Sequence, residues 1–206
     1  MTTYNKIDYT LLKATATKEE IINLCETAVE KECASVCIPS YYIPFVKENF
    51  PTLKICTVIG FPLGNVSTAV KVFEAEEAIR NGADEIDFVV NVGMVKNQEW
   101  FSIREEFLAL RFATKNKVLK AILETCYLDE CEIIHLCGIA MDYNLDFVKT
   151  STGFGTAGAK EKDVKLMKEV CENNIKIKAS GGIRTKEDAE KFLALGADRL
   201  GMSKIF

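Results

Sequence analysis

The chain has 206 residues, of which 48% are hydrophobic and 27% are charged, a composition typical of a globular protein with one sizeable core. Its net charge of −4 and its isoelectric point near 5.3 disfavour nucleic acid and anionic lipid as partners. No apolar run approaches the roughly 18 residues that span a bilayer, and the first residues lack a secretory pattern, so we expect a soluble, cytoplasmic protein.

Apolar runs of strand length alternate with helical stretches along the chain. The predicted strands are Lys6–Thr10, Ala34–Pro39, Leu53–Ile59, Glu85–Val90, Val118–Glu124, Asp146–Ser151, Ile175–Ala179 and Arg199–Ser203. The predicted helices are 18–32, 41–49, 67–81, 98–115, 128–141, 161–173 and 185–195. Thr185 has the pattern of a helix N-cap, whereas Gly82 and Gly196 are placed as helix ends.

Eight strands that alternate with helices predict a parallel sheet closed into a (β/α)₈ TIM barrel, with residues 1–206 forming a single domain. An open doubly wound sheet is the alternative, but no G-x-G-x-x-G motif follows the first strand. The chain stops at Phe206, where an eighth helix should follow the last strand. The final helix is therefore expected to be missing or truncated, leaving the apolar back of that strand uncovered.

Two segments place a lysine at the end of an apolar strand, just before small residues and a turn. They are Phe147-Val-Lys-Thr-Ser-Thr-Gly153 and Ile177-Lys-Ala-Ser-Gly-Gly-Ile-Arg-Thr185. Neighbouring strands would bring Lys149 and Lys178 close together, and two cations in one pocket repel each other. One of them is then expected to lose its proton near neutral pH and to form a Schiff base with a carbonyl, as in an aldolase.

The alternation of side chains along the strands predicts which charges point into the barrel. Asp87, Lys120, Glu124, Lys149 and Lys178 each occupy a position of one parity, with apolar residues on the other side. The alternative is that these residues are the exposed ends of edge strands. Because buried charges persist only when they are paired or functional, we interpret the set as an active site, with Asp87 transferring protons.

Glycine-rich turns after the strands predict a site for an anion. In TIM barrels the loops after strands seven and eight often bind phosphate, and backbone N–H groups at such turns approach it closely. The residues expected to contact a phosphorylated substrate are Gly153, Gly181, Gly182, Arg184, Gly201 and Ser203. No cofactor and no metal is required by this chemistry.

The eight cysteines form no C-x-x-C pair, and His135 is the only histidine. Cys131 and His135 lie four residues apart on a predicted helix and could face one metal, but no second close pair completes four ligands. Buried free thiols in a reducing compartment are the better interpretation.

Taken together, these residues resemble the deoxyribose-phosphate aldolase family of class I aldolases. The resemblance runs nearly end to end. It covers Ile7-Asp-Tyr-Thr-Leu-Leu-Lys13, Val36-Cys-Ile-Pro39, Thr57-Val-Ile-Gly-Phe-Pro-Leu-Gly64, Val70-Lys-Val-Phe-Glu74, Gly82-Ala-Asp-Glu-Ile-Asp-Phe-Val-Val-Asn91, Glu124-Thr-Cys126, both lysine motifs and Gly196-Ala-Asp-Arg-Leu-Gly-Met-Ser203. The implied reaction is reversible cleavage of 2-deoxy-D-ribose 5-phosphate to acetaldehyde and D-glyceraldehyde 3-phosphate.

The resemblance implies that Lys149 forms the Schiff base, that Lys178 lowers the pKa of the nucleophile and that Asp87 relays protons. Asp8, Lys120 and Cys37 match positions expected in or near the pocket and are assigned supporting roles; for Cys37, a small core residue is an equal alternative. Dimers are common in the family, so a homodimer is possible, although no sequence feature determines the oligomeric state.

The chain departs from the family pattern at Tyr9, where a histidine is usual, and at Lys204, where a second serine often follows Ser203. An aldolase with a different acceptor preference is therefore an alternative. A second alternative is a binding protein that kept the barrel and lost turnover. Two unpaired buried lysines argue against it, because a binding module has no need of them.

Overall fold

The computed structural model describes residues 3–206, which form a closed barrel of eight parallel strands. The strands are β1 (Ile7–Thr10), β2 (Ser35–Cys37), β3 (Ile55–Ile59), β4 (Glu85–Val89), β5 (Val118–Ile122), β6 (Phe147–Lys149), β7 (Lys176–Ser180) and β8 (Arg199–Met202). Each strand pairs with the next, and β1 pairs with β8 through Asp8 opposite Gly201. The prediction of a TIM barrel is confirmed, and the open-sheet alternative is wrong.

The helices surround the barrel in the order that the sequence predicts, with one addition. They are α1 (Lys18–Glu30), α2 (Ile43–Asn49), α3 (Thr68–Arg80), α4 (Val92–Lys96), α5 (Trp100–Thr114), α6 (Glu130–Asp142), α7 (Glu161–Cys171) and α8 (Lys186–Ala194). The additional helix is α4, a single short turn of helix capped by the Asn91 side chain, which accepts a hydrogen bond from the Met94 N–H. Its five residues are too few to show helical periodicity in the sequence.

Local signals explain where several helices begin and end. Thr185 caps α8 in a reciprocal capping box with Asp188, as predicted, and Thr17 does the same for α1. Gly82 and Gly196 follow the ends of α3 and α8 with φ of +113° and +104°, where glycine avoids the strain of a side chain. These local signals therefore set the starts of α1 and α8 and the ends of α3 and α8.

The hydrophobic core lies between the strands and the helices. On β4, Ile86 and Phe88 point outward and are fully buried, and the Phe88 ring packs edge-on against Phe107 of α5 at 5.0 Å between centroids. Burial of such rings is the main stabilising contribution available to the barrel. The other face of the same strand carries Glu85 and Asp87, which point into the barrel.

The end of the chain differs from the expectation in one respect. No helix follows β8 within residues 3–206, but the outward side chains of β8, Leu200 and Met202, are buried rather than uncovered. Tyr4 and Ile205 pack against the same core, and the Tyr4 hydroxyl donates to the carbonyl of Phe206. Within the described range, no helix is both long and apolar enough to cross a bilayer.

Candidate active site

Asp87 lies at the centre of an ion network that fills the barrel. Its Oδ2 is 3.0 Å from Lys149 Nζ and 2.8 Å from Lys178 Nζ, and its Oδ1 is 2.7 Å from Lys120 Nζ. All four side chains are buried, with Lys149 the most exposed at 4%. The structure therefore brings together four of the five charges that the strand parity placed inside the barrel.

A second carboxylate, Asp8, completes the surroundings of Lys178. Asp8 Oδ2 is 2.5 Å from Lys178 Nζ, while Asp8 Oδ1 accepts hydrogen bonds from Arg199 and from Ser35. Arg199 also contacts Glu85, whose carboxylate lies 2.5 Å from Lys120 Nζ. These contacts cross the barrel from β8 and β1 to β4 and β5, so only a closed barrel can form them.

The pKa directions follow from these contacts. Burial alone would raise the pKa of Asp87, but Lys120, Lys178 and Lys149 hold it well below its usual value. Burial would lower the pKa of Lys178, yet the charges of Asp8 and Asp87 outweigh it and raise the pKa well above that of a free lysine. Lys178 is therefore held as a cation next to Lys149.

This geometry corrects one premise of the sequence-based reasoning. The sequence motifs predict two unpaired lysines whose protonation depends mainly on their mutual repulsion. In the structure, both ammonium groups contact the same carboxylate oxygen of Asp87, and Lys178 has Asp8 as a further partner. A motif around one strand cannot reveal these partners, because they come from β1 and β4.

A solvent-open cavity of about 460 Å³ lies at the carboxyl ends of the strands, above Lys149. Its lining includes all six residues predicted to contact phosphate, namely Gly153, Gly181, Gly182, Arg184, Gly201 and Ser203. Lys13, from the loop after β1, also lines it and was not predicted as a site residue. The cavity therefore joins a buried lysine at its base to glycine turns and cations at its rim.

At two of these positions, neighbouring atoms lie so close to the backbone that only glycine fits. A Cβ atom on Gly201 would lie 2.8 Å from Cβ of Ser180 and 3.3 Å from Cε of Lys178, so a side chain there would clash with Ser180 and press against Lys178. Gly181 has a φ of +86°, and a Cβ atom on it would lie 2.9 Å from Cα of Gly158. These turns keep the backbone near the lysines free of side chains.

Glu124 does not belong to the barrel interior as a strand residue. The strand β5 ends at Ile122, and Glu124 adopts a left-handed conformation with φ of +57°. Its carboxylate is buried and accepts hydrogen bonds from the backbone N–H and the hydroxyl of Thr152, in the loop after β6. The parity prediction is wrong here because alternation stops where the strand stops, and Glu124 instead holds the segment that follows Lys149.

Cys37, predicted to have a supporting role, is fully buried beside the network and does not line the cavity. The neighbouring Cys56 thiol donates a hydrogen bond to Asp87 Oδ1 at 3.2 Å, and burial raises the pKa of Cys56 well above its usual value. Cys37, Cys56 and Asp87 have donor atoms within 4.8 Å of one another. A metal ion there would have to displace the lysines that already contact Asp87.

Cys131 and His135, which the sequence predicts on one helix, both lie on α6. The His135 ring stacks on Trp100 at 3.9 Å, and neither residue belongs to a metal-spaced cluster within residues 3–206. Sequence reasoning missed Arg199, Glu85 and Cys56, and a sequence signal was present for the first two. Glu85 shares its parity with Asp87, and Arg199 shares its parity with Gly201, so the alternation used for the lysines also places them inside.

Comparison with known proteins gives a consistent family match. The model of the DeoC/LacD family aldolases matches residues 5–201. The deoxyribose-phosphate aldolase of Clostridioides difficile is 54% identical over 97% of this chain and 91% of its own length. The enzyme of the same name from Streptococcus agalactiae is 50% identical over 97% of this chain and 90% of its own length.

Solved structures agree with this match. An aldolase called QR15 superimposes with a TM-score of 0.94 at 39% identity, covering 98% of this chain and 91% of that protein. The deoxyribose phosphate aldolase of Aeropyrum pernix, described as a unique tetramer, has a TM-score of 0.91 at 30% identity, covering 98% and 86%. Both likenesses cover nearly the whole of this chain.

Proposed function

Because the chain belongs to the DeoC/LacD family of aldolases, we propose that it reversibly cleaves 2-deoxy-D-ribose 5-phosphate to acetaldehyde and D-glyceraldehyde 3-phosphate. The carbonyl carbon of the open-chain sugar would be held as a Schiff base on Lys149. Lys178 and Asp87 would transfer the protons that this chemistry requires, and Asp8 and Lys120 would hold them in position.

The observation that carries the proposal is the charge balance inside the barrel. Four cations, namely Lys120, Lys149, Lys178 and Arg199, face three carboxylates, those of Asp8, Glu85 and Asp87. An uncompensated buried charge is costly, and this set has one cation more than its carboxylates balance. Lys149 is the cation with a single carboxylate contact, and it lies at the base of the cavity. A neutral amine there is the required nucleophile.

The proposed cycle uses the residues as follows. The Lys149 amine adds to C1 of the sugar, and the carbinolamine loses water when a proton is supplied from the Lys178 ammonium through Asp87. As the C3 hydroxyl loses its proton, the C2–C3 bond breaks and its electrons move to the iminium nitrogen, which releases D-glyceraldehyde 3-phosphate. The enamine then takes a proton at C2, and water hydrolyses the imine to acetaldehyde and free Lys149.

The rim of the cavity supports a phosphorylated substrate. Backbone N–H groups of the Gly181–Gly182 turn, the guanidinium of Arg184 and the hydroxyl of Ser203 all lie at the cavity and are suitable donors to a phosphate. Lys13 would add a further positive charge. A substrate bound with its phosphate here would extend down to Lys149.

Three broader expectations remain proposals. We propose that the chain acts as one catalytic domain in the cytoplasm and that it forms a homodimer. Exposed apolar side chains are concentrated on α3 and α5, including Phe73 at 61%, Phe101 at 74% and Phe112 at 72% exposure. Such a surface favours self-association. Light scattering of the purified protein would measure its mass, and a monomer at micromolar concentration would contradict the proposal.

The decisive experiment is borohydride trapping with acetaldehyde, followed by mass mapping of the modified peptide. We expect an adduct on Lys149, no adduct in Lys149→Leu, and a loss of turnover of about 10³-fold or more in that variant. Lys176→Leu is the matched control, because Lys176 is the exposed lysine at the start of β7. This variant should keep both the Lys149 adduct and the wild-type turnover.

Other outcomes have distinct meanings. An adduct on Lys178 would retain the aldolase class and exchange the roles of the two lysines. No adduct and no turnover from folded protein would overturn the proposal in favour of a binding protein. The proposed chemistry requires no metal, so turnover should be unchanged after treatment with a chelator, and loss of activity would contradict the Schiff-base route.

A further inference from the structure

A buried ion pair outside the active site joins helices α3 and α5. Lys71 Nζ of α3 lies 2.7 Å from Glu106 Oε1 of α5, and the two side chains are only 0% and 1% exposed. The hydroxyl of Thr68, at the start of α3, also donates to Glu106. Neither charged residue lines the cavity above Lys149, which we call the main cavity, so the proposed reaction does not use them directly.

This ion pair is a poor source of stability. Burial lowers the pKa of Lys71 and raises the pKa of Glu106, in each case against the charge of the partner. Both shifts disfavour the charged forms, so removal from water outweighs the attraction between the two groups. Buried ion pairs can often be replaced by apolar side chains without loss of stability. Stability alone therefore gives no reason for a lysine at this position.

The second contact of Lys71 is with the backbone at the carboxyl end of β4. Strand β3 pairs with β4 up to Ile59, which lies opposite Phe88, and the chain then turns at Gly60 with a φ of +58°. β3 therefore stops short of Val89, the last residue of β4. Lys71 Nζ donates to the carbonyl oxygen of Val89 at 2.8 Å and so supplies the donor that a longer β3 would have supplied.

The same helix also holds the turn that follows β3. A Cβ atom on Gly60 would lie 2.8 Å from Cε of Lys71, so the lysine stem packs directly against the glycine backbone. The Gly60 N–H donates to Glu74 Oε2 at 2.7 Å, one turn further along α3. Lys71 and Glu74 both belong to the segment Val70–Glu74, through which the sequence resembles the aldolase family. One lysine and one glutamate of α3 therefore hold the ends of two neighbouring strands.

We infer that Lys71, held by Glu106, is a positioning residue for the proposed reaction: it fixes the carboxyl end of β4 and, through it, the Asp87 carboxylate. This inference rests on the proposed function. Asp87 lies two residues before Val89 on the same strand, and its Oδ2 contacts both catalytic lysines. Displacement of a reacting group by about 1 Å can lower a rate by about 100-fold, so a firmly held strand end matters to the proton transfers.

The test removes the Lys71 ammonium group and keeps an unbranched side chain. In Lys71→Met, kcat for cleavage of 2-deoxyribose 5-phosphate should fall by about 10-fold, because the carbonyl at the end of β4 loses its donor. KM should stay within about 2-fold of the wild type, since the predicted phosphate contacts follow β6, β7 and β8. The rate at which borohydride traps acetaldehyde on Lys149 should fall with kcat, because Asp87 assists formation of the imine.

The double variant Lys71→Met/Glu106→Leu separates positioning from stability. Lys71→Met leaves the Glu106 carboxylate buried without its cation, so the midpoint of urea unfolding should fall. The double variant removes both charges and should recover that midpoint, yet its kcat should remain about 10-fold below that of the wild type. Glu106→Gln keeps the bond from Lys71 to Val89, and should lose stability with little loss of kcat. Lys165→Met, at an exposed lysine on α7, is the matched control and should change neither.

Hydrogen exchange gives a readout that does not depend on activity. In both variants that carry Lys71→Met, the peptide covering residues 85–91 should exchange its backbone amides about 10-fold faster than in the wild type. Peptides that cover β6 and β7 should exchange at the wild-type rate, as measured by mass spectrometry. Because a general loss of stability would accelerate exchange throughout the barrel, a change confined to β4 is specific for positioning. If the double variant does not fold, Lys71→Met and this measurement still test the inference.

The outcomes separate this inference from the proposed function. If the double variant recovers both the unfolding midpoint and kcat, the ion pair serves stability alone, so the inference is wrong and the proposed function stands. If kcat falls while exchange at residues 85–91 is unchanged, Lys71 does not act through β4, and the inference is overturned. If the wild type neither traps acetaldehyde nor cleaves the sugar phosphate, the proposed function fails and the inference fails with it.

Discussion

The two faces of the same barrel strands have opposite chemistry. The outward face of β4 carries Ile86 and Phe88, which pack against helices, whereas its inward face carries Glu85 and Asp87, which contact lysines and an arginine. Many barrels fill their interior with branched apolar side chains. Here charged side chains occupy that space instead, and each of them is bonded to a partner from another strand.

The outward apolar side chains stabilise the fold, whereas the inward charged side chains serve the proposed reaction. Burying apolar area outside the barrel is favourable at every position, whereas burying charges inside it is favourable only while every charge keeps its partners. The inner face should therefore be sensitive to loss of a single charged group in activity and in pH dependence. Substitutions on the outer face should lower the free energy of unfolding and leave activity unchanged.

The largest effect is expected from Lys178→Leu. It removes the ammonium group that contacts both Asp8 and Asp87, so turnover should fall by about 100-fold or more. The pH–rate profile should also change, because the variant loses one of the cations that hold the pKa of Asp87 well below its usual value. Steady-state rates from pH 6 to 10 measure both effects.

Lys178→Arg, which retains the charge, is the control for folding and should keep the pH optimum near that of the wild type. A Lys178→Leu variant that folds and has an unaltered profile would remove Lys178 from its assigned role. Circular dichroism would establish whether each variant is folded.

The next largest effect is expected from Asp8→Asn, read out as stability. The network holds the pKa of Asp8 well below its usual value, and an unfolded aspartate has a pKa of about 3.9. The ionised carboxylate therefore stabilises the fold above about pH 4, and this stabilisation is lost as the pH falls below that value. Asp8→Asn should lower the free energy of unfolding at pH 7 by about 3 kcal/mol.

Urea unfolding at several pH values would measure this. In Asp8→Asn, the decline of stability between about pH 4.5 and pH 2 should be shallower than in the wild type. Asp142→Asn is the control, since Asp142 is 56% exposed and pairs with Arg104 at the surface, where little change is expected. If stability declined equally with acid in Asp8→Asn and in the wild type, the ionised Asp8 carboxylate would not be the group that stabilises the fold.

A smaller effect is expected from Phe88→Leu on the outer face. The substitution removes the edge-on contact with Phe107 and part of a fully buried ring, so the free energy of unfolding should fall by about 1–2 kcal/mol. The rate and its pH profile should stay at wild-type values below the unfolding temperature. A shifted pH profile would show that the two faces are not independent.

The smallest effect is expected from Ser203→Ala at the rim of the cavity. Water can replace the exposed Ser203 hydroxyl as a donor to the charged phosphate, so its loss should cost only about 1 kcal/mol and raise KM for 2-deoxyribose 5-phosphate by about 5-fold. KM for unphosphorylated deoxyribose should change less. Ser40→Ala, at an exposed serine before α2, is the control. Equal changes with both sugars would contradict a phosphate contact.

Much of the architecture follows from local patterns. All eight strands and seven of the eight helices were predicted, with ends displaced by a few residues, because each leaves a periodic signal within its own segment. The inward positions of Asp87, Lys120, Lys149 and Lys178 followed from alternation within single strands. The same alternation failed for Glu124, because its conformation depends on Thr152, 28 residues away.

The amino-acid sequence by itself determined the eight strands, seven of the eight helices and their order, the family, and the inward positions of Asp87 and the three lysines. Only the tertiary structure decided how those charges pair, that Lys178 is held as a cation by Asp8 and Asp87, and that Lys149 alone meets the main cavity among the network's four cations. The physical reason is that periodicity is a property of one segment. Ion pairs and cavities depend on distances between segments, and closure of the barrel sets those distances.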